Sequence, residues 1–227
     1  DQHDGFLENR IGDDKRDRDS QSVRGQLEID LSDRSALWLK LEHTRDDLAG
    51  NGYSHQPATI GPDGLGYPIA RDELGVFFDL AGQPFTTCPG CDGFGYREPD
   101  TDPLEGSYDF EGNTEREVSS ITATFEHDFD GFSLTSVTDY LEAEKDYQED
   151  TDSSPITQVN YFPSAELKQF SQEVRLAGAS DRLSWIAGAY YLNLQHDTES
   201  FLYQDLGQFL GLGPVDPGVF IFESTMD

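Results

Sequence analysis

The chain has 227 residues, with 45 acidic against 15 basic side chains and a formal net charge of −30. That balance excludes a general nucleic-acid binder, because polyanions are repelled, and argues against a surface helix that docks on anionic lipid. Hydrophobic residues make up only 35% of the chain while aromatics reach 12%, a proportion that sets it apart from disordered acidic sequences.

The opening residues up to Ser20 read as the tail of a long loop. From Val23 to Leu31 the pattern alternates strictly: Val23, Gly25, Leu27, Ile29 and Leu31 share one face, and Arg24, Gln26, Glu28 and Asp30 the other. Period two marks a strand with one apolar and one polar side. Ser32–Arg34 is a short turn, and Leu37, Leu39 and Leu41 alternate with Trp38, Lys40 and Glu42 in the returning strand. A long polar connection, about Asp47 to Glu115, leads to a second hairpin. Its first strand carries Ile121, Ala123, Phe125 and Phe129 on one face, Asp130-Gly131 is a tight-turn signal, and Phe132 to about Tyr147 returns. The facing of that return is ambiguous, since Leu134 with Tyr140, or Val137 with Leu141, fits the apolar side. After a connection from Gln148 to Glu166, Phe170, Gln172, Val174 and Leu176 alternate with Ser171, Glu173 and Arg175. Gly178–Asp181 turns the chain, and Leu183–Leu194 closes a third hairpin; from Asp197 onward the chain reads as loop.

The strands are expected to run 10 to 14 residues, against a usual mode of about 5–6 in globular proteins. No apolar run reaches the ~18–20 residues of a membrane-spanning helix. Short turns at one end and long loops at the other are the asymmetry of outer-membrane barrels. The expected fold is therefore all-β: a segment of an antiparallel transmembrane β-barrel over residues 1–227, with about six long strands, short periplasmic turns and long extracellular loops. Six strands cannot close such a barrel, so further strands are expected. The chain starts at Asp1 without a basic or apolar leader, and its one methionine is Met226. The expectation is a fragment without signal peptide, plug domain or closing C-terminal strand.

Three stretches carry a resemblance. Phe170–Ala177 reads Phe-Ser-Gln-Glu-Val-Arg-Leu-Ala and is followed by Trp-Ile-Ala-Gly-Ala-Tyr-Tyr-Leu at Trp185–Leu192. Leu134–Tyr140 runs on into the acidic Tyr147–Asp152, and Arg24-Gly-Gln-Leu precedes the Ser32–Arg34 turn. Together these resemble the barrel domain of TonB-dependent outer-membrane receptors. The resemblance implies a 22-stranded barrel in the bacterial outer membrane, embedded in its lipid. It implies uptake of a scarce small-molecule ligand, such as a ferric siderophore or other iron complex, through a plug driven by the TonB complex. The alternative is a self-assembling structural or adhesive β-protein at the cell surface.

No catalytic constellation stands out, and the chain is expected not to be an enzyme and to need no cofactor. His3, His43, His55, His127 and His196 lack metal-ligand spacing, and nucleophile-elbow, phosphate-loop and dinucleotide patterns are missing from the sequence. Cys88 and Cys91 read as a structural disulfide in the longest loop, because neither a following helix nor a second ligand pair supports redox or zinc chemistry. Acidic runs recur at Glu98, Asp100, Asp102 and Glu105 and again at Glu149, Asp150 and Asp152. Calcium takes such oxygens, but neither run has the twelve-residue loop pattern, and both read as solvated loop. Tyr140, Tyr147, Trp185, Tyr190 and Tyr191 are expected as membrane-interface aromatics. Phe77, Phe78, Phe85, Phe94 and Tyr96 are expected to form a small core within the long loop.

Overall fold

The alternating segments pair in chain order. A computed structural model describes residues 2–53, 56–61, 63, 65–78, 82–92, 95–100, 102–157, 159–204 and 218–226. His55 and Phe94, and the side chains of His3 and Phe85, lie outside the described residues. The described residues are all-β without a helix, in strands β1 (Gln2–His3), β2 (Glu8–Asn9), β3 (Arg18–Ser32), β4 (Ser35–Ala49), β5 (Ala58–Ile60), β6 (Gly66–Pro68) and β7 (Leu74–Phe78), followed by β8 (Pro84–Pro89), β9 (Glu105–Gly106), β10 (Asn113–Asp128), β11 (Phe132–Asp150), β12 (Val159–Ala179), β13 (Ser184–Gln204) and β14 (Gly218–Met226). One 8-stranded sheet has the order β1-β3-β4-β10-β11-β12-β13-β14, antiparallel throughout. Its terminal strands do not pair with each other among the described residues, so the sheet is open.

The main strands are longer than expected: 15 residues in β3 and β4, 16 in β10, 19 in β11 and 21 in β12 and β13. The expected connection from Gln148 to Glu166 shrinks to residues 151–158, and the tail expected as loop from Asp197 continues β13 and then adds β14. Above the apolar stretch both faces of these strands are polar, so the hydropathy alternation that marks a strand fades while the backbone pairing continues. The β11–β12 register runs through Asp146↔Ser164 and resumes at Glu149↔Tyr161. The gap falls at Pro163, which has no N–H to donate.

Register assigns the faces. Directly opposed residues of an antiparallel pair share a side, and the row Leu27–Leu39–Ala123–Thr138–Gln172–Tyr191 crosses from β3 to β13. On that side lie Val23, Ile29, Leu37, Leu41, Ile121, Phe125, Leu134, Tyr140, Phe170, Val174 and Leu176, which settles the facing of β11: Leu134 and Tyr140 join the apolar face, and Val137 and Leu141 the other. Thr138, Gln172 and Ser136 interrupt the face but satisfy one another, with Thr138 Oγ1 donating to Gln172 Oε1 at 2.6 Å and Gln172 Nε2 to Ser136 Oγ at 3.0 Å. The opposite face carries ion pairs, Arg24–Glu42 at 2.5 Å, Lys40–Glu42 at 2.7 Å and Arg175–Glu173 at 3.1 Å.

Among the described residues no second layer covers the apolar face. Val23 is 67% exposed and Leu41 56%, and the buried hydrophobic residues, among those described, are Leu7, Cys91 and Tyr108, all within loops. A soluble sheet buries one face against a partner layer; this one leaves its apolar face open. The turns β3–β4, β10–β11 and β12–β13 fall at one end of the sheet, with Phe129 N bonded to Phe132 O and Ser180 N to Leu183 O. The connections β4–β10, β11–β12 and β13–β14 fall at the other.

Candidate functional site

The long-loop end holds the only side chains that are packed like a protein interior, among the described residues. The chain ahead of β3 folds back: Leu7 and Lys15 exchange backbone hydrogen bonds, and β2 pairs in parallel with β9. Asn9 grips the backbone of Tyr108 reciprocally, its Oδ1 accepting from Tyr108 N and its Nδ2 donating to Tyr108 O, each at 3.0 Å. The Tyr108 hydroxyl donates to Tyr53 O at 3.0 Å. The loop is thus structured by small two-stranded sheets, β5–β6 and β7–β8, and by this cap. Of the aromatics expected to form a small core here, Phe77 and Tyr96 are half-buried and Phe78 is 44% exposed; Leu7 and Tyr108 are buried, with Gly52 and Gly106 lying flat against them, where a Cβ would meet the Tyr108 ring at 2.7 and 2.3 Å. Cys88 and Cys91 are joined to each other, Cys91 being fully buried.

The two acidic runs have different fates. Glu98, Asp100 and Glu105 converge on Arg10, which binds Glu98 closely and reaches Asp100 at 2.6 Å and Glu105 at 2.9 Å. Burial opposes the guanidinium charge, but these three carboxylates outweigh it and raise the Arg10 pKa. Tyr96 donates to Glu98 at 2.8 Å; burial, and then that carboxylate, push its phenol up to about 12. Glu98, Asp100, Asp102 and Glu105 line a cleft of about 470 Å³ with Arg71, Gln56 and Ile69.

The second run divides. Glu149 accepts from the hydroxyls of Tyr147 and, at 2.8 Å, Tyr53. Asp150 and Asp152 instead meet Asp109, and one oxygen from each lies within 4.8 Å of the others. Asp150, the last residue of β11 and beyond the apolar stretch, is 0% exposed. Burial first, and then the neighbouring Asp152, push its carboxyl up to about 7. Its Oδ1 accepts from Ser153 N at 2.9 Å, while Oδ2 has no hydrogen-bond partner. Lys15 is 1% exposed and donates to the carbonyls of Phe110 and Glu111; burial lowers its pKa, against the pull of Asp150, Glu111 and Asp109. Asp109 sits 41 positions before Asp150, and a cluster built across that distance has no spacing signature. Its backbone N bonds Ser154 O at 3.3 Å, and Phe110 packs edge-on to Phe162 at 5.5 Å.

The five aromatics expected at membrane interfaces separate by side. Tyr140, Tyr191 and Trp185 project on the apolar face. Phe170 stands between the two tyrosines, 6.3 Å from Tyr191. Near the turns Trp185 lies over Gly178, in the same row as Phe132, and Phe132 stacks on Phe129 at 4.5 Å. Tyr190 projects from the opposite face, opposite Glu173. Tyr147 also lies on that opposite face, half-buried and hydrogen-bonded to Glu149 and Asn51 at the loop end. Comparisons with protein-family models, with curated proteins and with solved structures found no match.

Proposed function

We propose that this chain forms part of the wall and outer loops of a bacterial outer-membrane β-barrel of the TonB-dependent receptor kind. The observation that carries the reading is the apolar face spread over six strands with no layer against it among the described residues. The apolar stretches Val23–Leu31, Ile121–Phe129, Phe132–Tyr140 and Phe170–Gly178 are each about nine residues long, close to the span of a tilted strand through hydrocarbon. Aromatic rows border them on both sides, Tyr140, Phe170 and Tyr191 toward the loops and Phe129, Phe132 and Trp185 toward the turns, as interfacial girdles do. The opposite face, with its ion pairs, suits a wet or plugged lumen. In this reading the loop end faces outward and captures a small ligand, a ferric siderophore or similar iron complex. A plug coupled to the TonB complex passes the ligand inward.

A second reading, copies of this chain assembling edge to edge, draws on the open sheet: β1 covers only two residues of β3, and β14 has no further neighbour among the described residues.

The two tryptophans test the membrane reading, because Trp38 lies on the polar face and Trp185 on the apolar one. In vesicles of brominated lipid, the Trp38→Phe variant, which keeps Trp185, is expected to be strongly quenched. The Trp185→Phe variant, which keeps Trp38, is expected to change little. Equal quenching of both, or none, removes the lipid-facing assignment.

A further inference from the structure

We propose that Asp109, Asp150 and Asp152 form a calcium site that fastens the β11–β12 connection to the segment entering β10. Two independent observations meet here. The first is the convergence of three carboxylates from two separate segments, with an oxygen of each within 4.8 Å of the others. The second is a set of buried oxygens without hydrogen-bond partners: Oδ2 of Asp150, Oγ of Ser153 and Oδ1 of Asn160. All three residues are at most 5% exposed. Asn160 stands directly across the ladder from Asp150, on the same side, and Ser153 is bonded to Asp150 through its backbone. Buried oxygens are almost always satisfied, and a carboxylate oxygen without a partner is among the costliest to leave so.

The donor set decides the ion. Only oxygens converge, with neither sulfur nor imidazole, which selects a hard cation. Calcium binds oxygens at about 2.3–2.6 Å, so opposite ligands stand about 4.6–5.2 Å apart, whereas magnesium at about 2.0–2.1 Å needs a tighter, regular shell. An oxygen of each carboxylate lies within 4.8 Å of the others, close enough for one cation to be shared. Lys15 is the cation nearby, but its ammonium is committed to the Phe110 and Glu111 carbonyls. Set against three aspartates, it leaves an excess of negative charge that a divalent ion balances. The remaining contacts already hold the carboxylates in place: Thr157 Oγ1 donates to Asp109, Ser154 N to Asp152 at 3.0 Å and Val159 N to Asp152 at 2.7 Å. Each aspartate is thereby oriented by one oxygen or both, as ligating carboxylates usually are.

Terbium luminescence sensitised by tyrosine tests this on the folded full chain in mild detergent, with calcium as competitor. We expect one saturable terbium site per chain, displaced by calcium in the range of about 0.1–1 mM typical of extracellular modules. Asp150→Asn and Asp109→Asn are each expected to weaken binding at least tenfold. Asp100→Asn, in the cluster that Arg10 already neutralises, should bind as the parent does. Asp109 is exposed, so its variant tests the site even if the Asp150 variant fails to fold. Unsaturable terbium binding, an Asp109→Asn variant that binds normally, or magnesium competing as well as calcium would each overturn the proposal.

Discussion

Tyr108 is fixed by three kinds of contact at once: its backbone by Asn9, its hydroxyl by Tyr53 O, and its ring by glycines that leave no room for a side chain. Tyr108→Phe keeps the ring and removes one hydrogen bond, leaving the Tyr53 carbonyl unpaired at an expected cost of about 1–2 kcal/mol. Gly106→Ala drives a methyl group into the ring and should cost about 1–3 kcal/mol through overpacking. Hydrogen exchange at the Asn9 and Tyr108 amides reads both as faster local opening, while amides of β11 below Tyr140 should be unaffected. Tyr96 gives a pH signature at the same scale. Its phenol is raised in the folded state, so its contribution to stability is complete below the ordinary tyrosine pKa near 10 and is lost as pH rises toward about 12. Several phenols, Tyr53, Tyr108 and Tyr147 among them, are raised alongside it, so a phenolate absorbance titration is expected to lose one tyrosine from the late-ionising group in Tyr96→Phe, together with a smaller loss of loop stability above pH 10 in that variant.

Along a strand, successive side chains face opposite environments, and one-residue steps separate the two. Ala123→Arg puts a charge on the apolar face near mid-strand and is expected to cost about 2–4 kcal/mol in bilayers. Thr124→Arg, one residue on, faces the polar side and should be close to neutral; equal costs measured by urea unfolding from vesicles would contradict the register. Above the band the same face becomes acidic, and Glu144, Glu166 and Asp197 stand directly opposite one another across three strands. Opposed like charges destabilise a sheet, so Glu166→Gln should raise stability by about 0.2–1 kcal/mol, less at high salt. The strands were legible in the sequence where these environments differ, at Val23–Leu31 or Phe170–Leu176. They were not legible where the environments converge, as in β12 before Gln169 and in β13 beyond Leu194. For Val137 against Leu134 the alternation within one strand was ambiguous, and only the neighbours Ile121 and Phe170 decide it. Asp109 was illegible for another reason: its partners come from a different connection, and only the fold of the cap brings them together.

At the scale of the whole molecule the unpaired edges carry the argument. Among the described residues, β3 from Gln21 onward is paired with β4 alone and β14 is paired with β13 alone, so each has one edge without a strand against it. Such an edge is a pairing template in water, and in hydrocarbon each unsatisfied group costs several kcal/mol, which is why membrane-spanning sheets close. A sheet with the apolar band described here therefore acquires more strands before it is stable in a bilayer. If the strands come from the same polypeptide, the protein extracted from membranes in mild detergent should have an intact mass tens of kilodaltons above the 25.4 kDa of these 227 residues, and should run as a single barrel. If they come from copies, the mass should be 25.4 kDa and the detergent complex should be a closed ring that dissociates when β14 is truncated. The motif pair at Phe170–Leu192 favours the first outcome, which we expect. The second would keep the apolar band and the loop cap, and would favour the proposed surface assembly over the proposed ligand uptake.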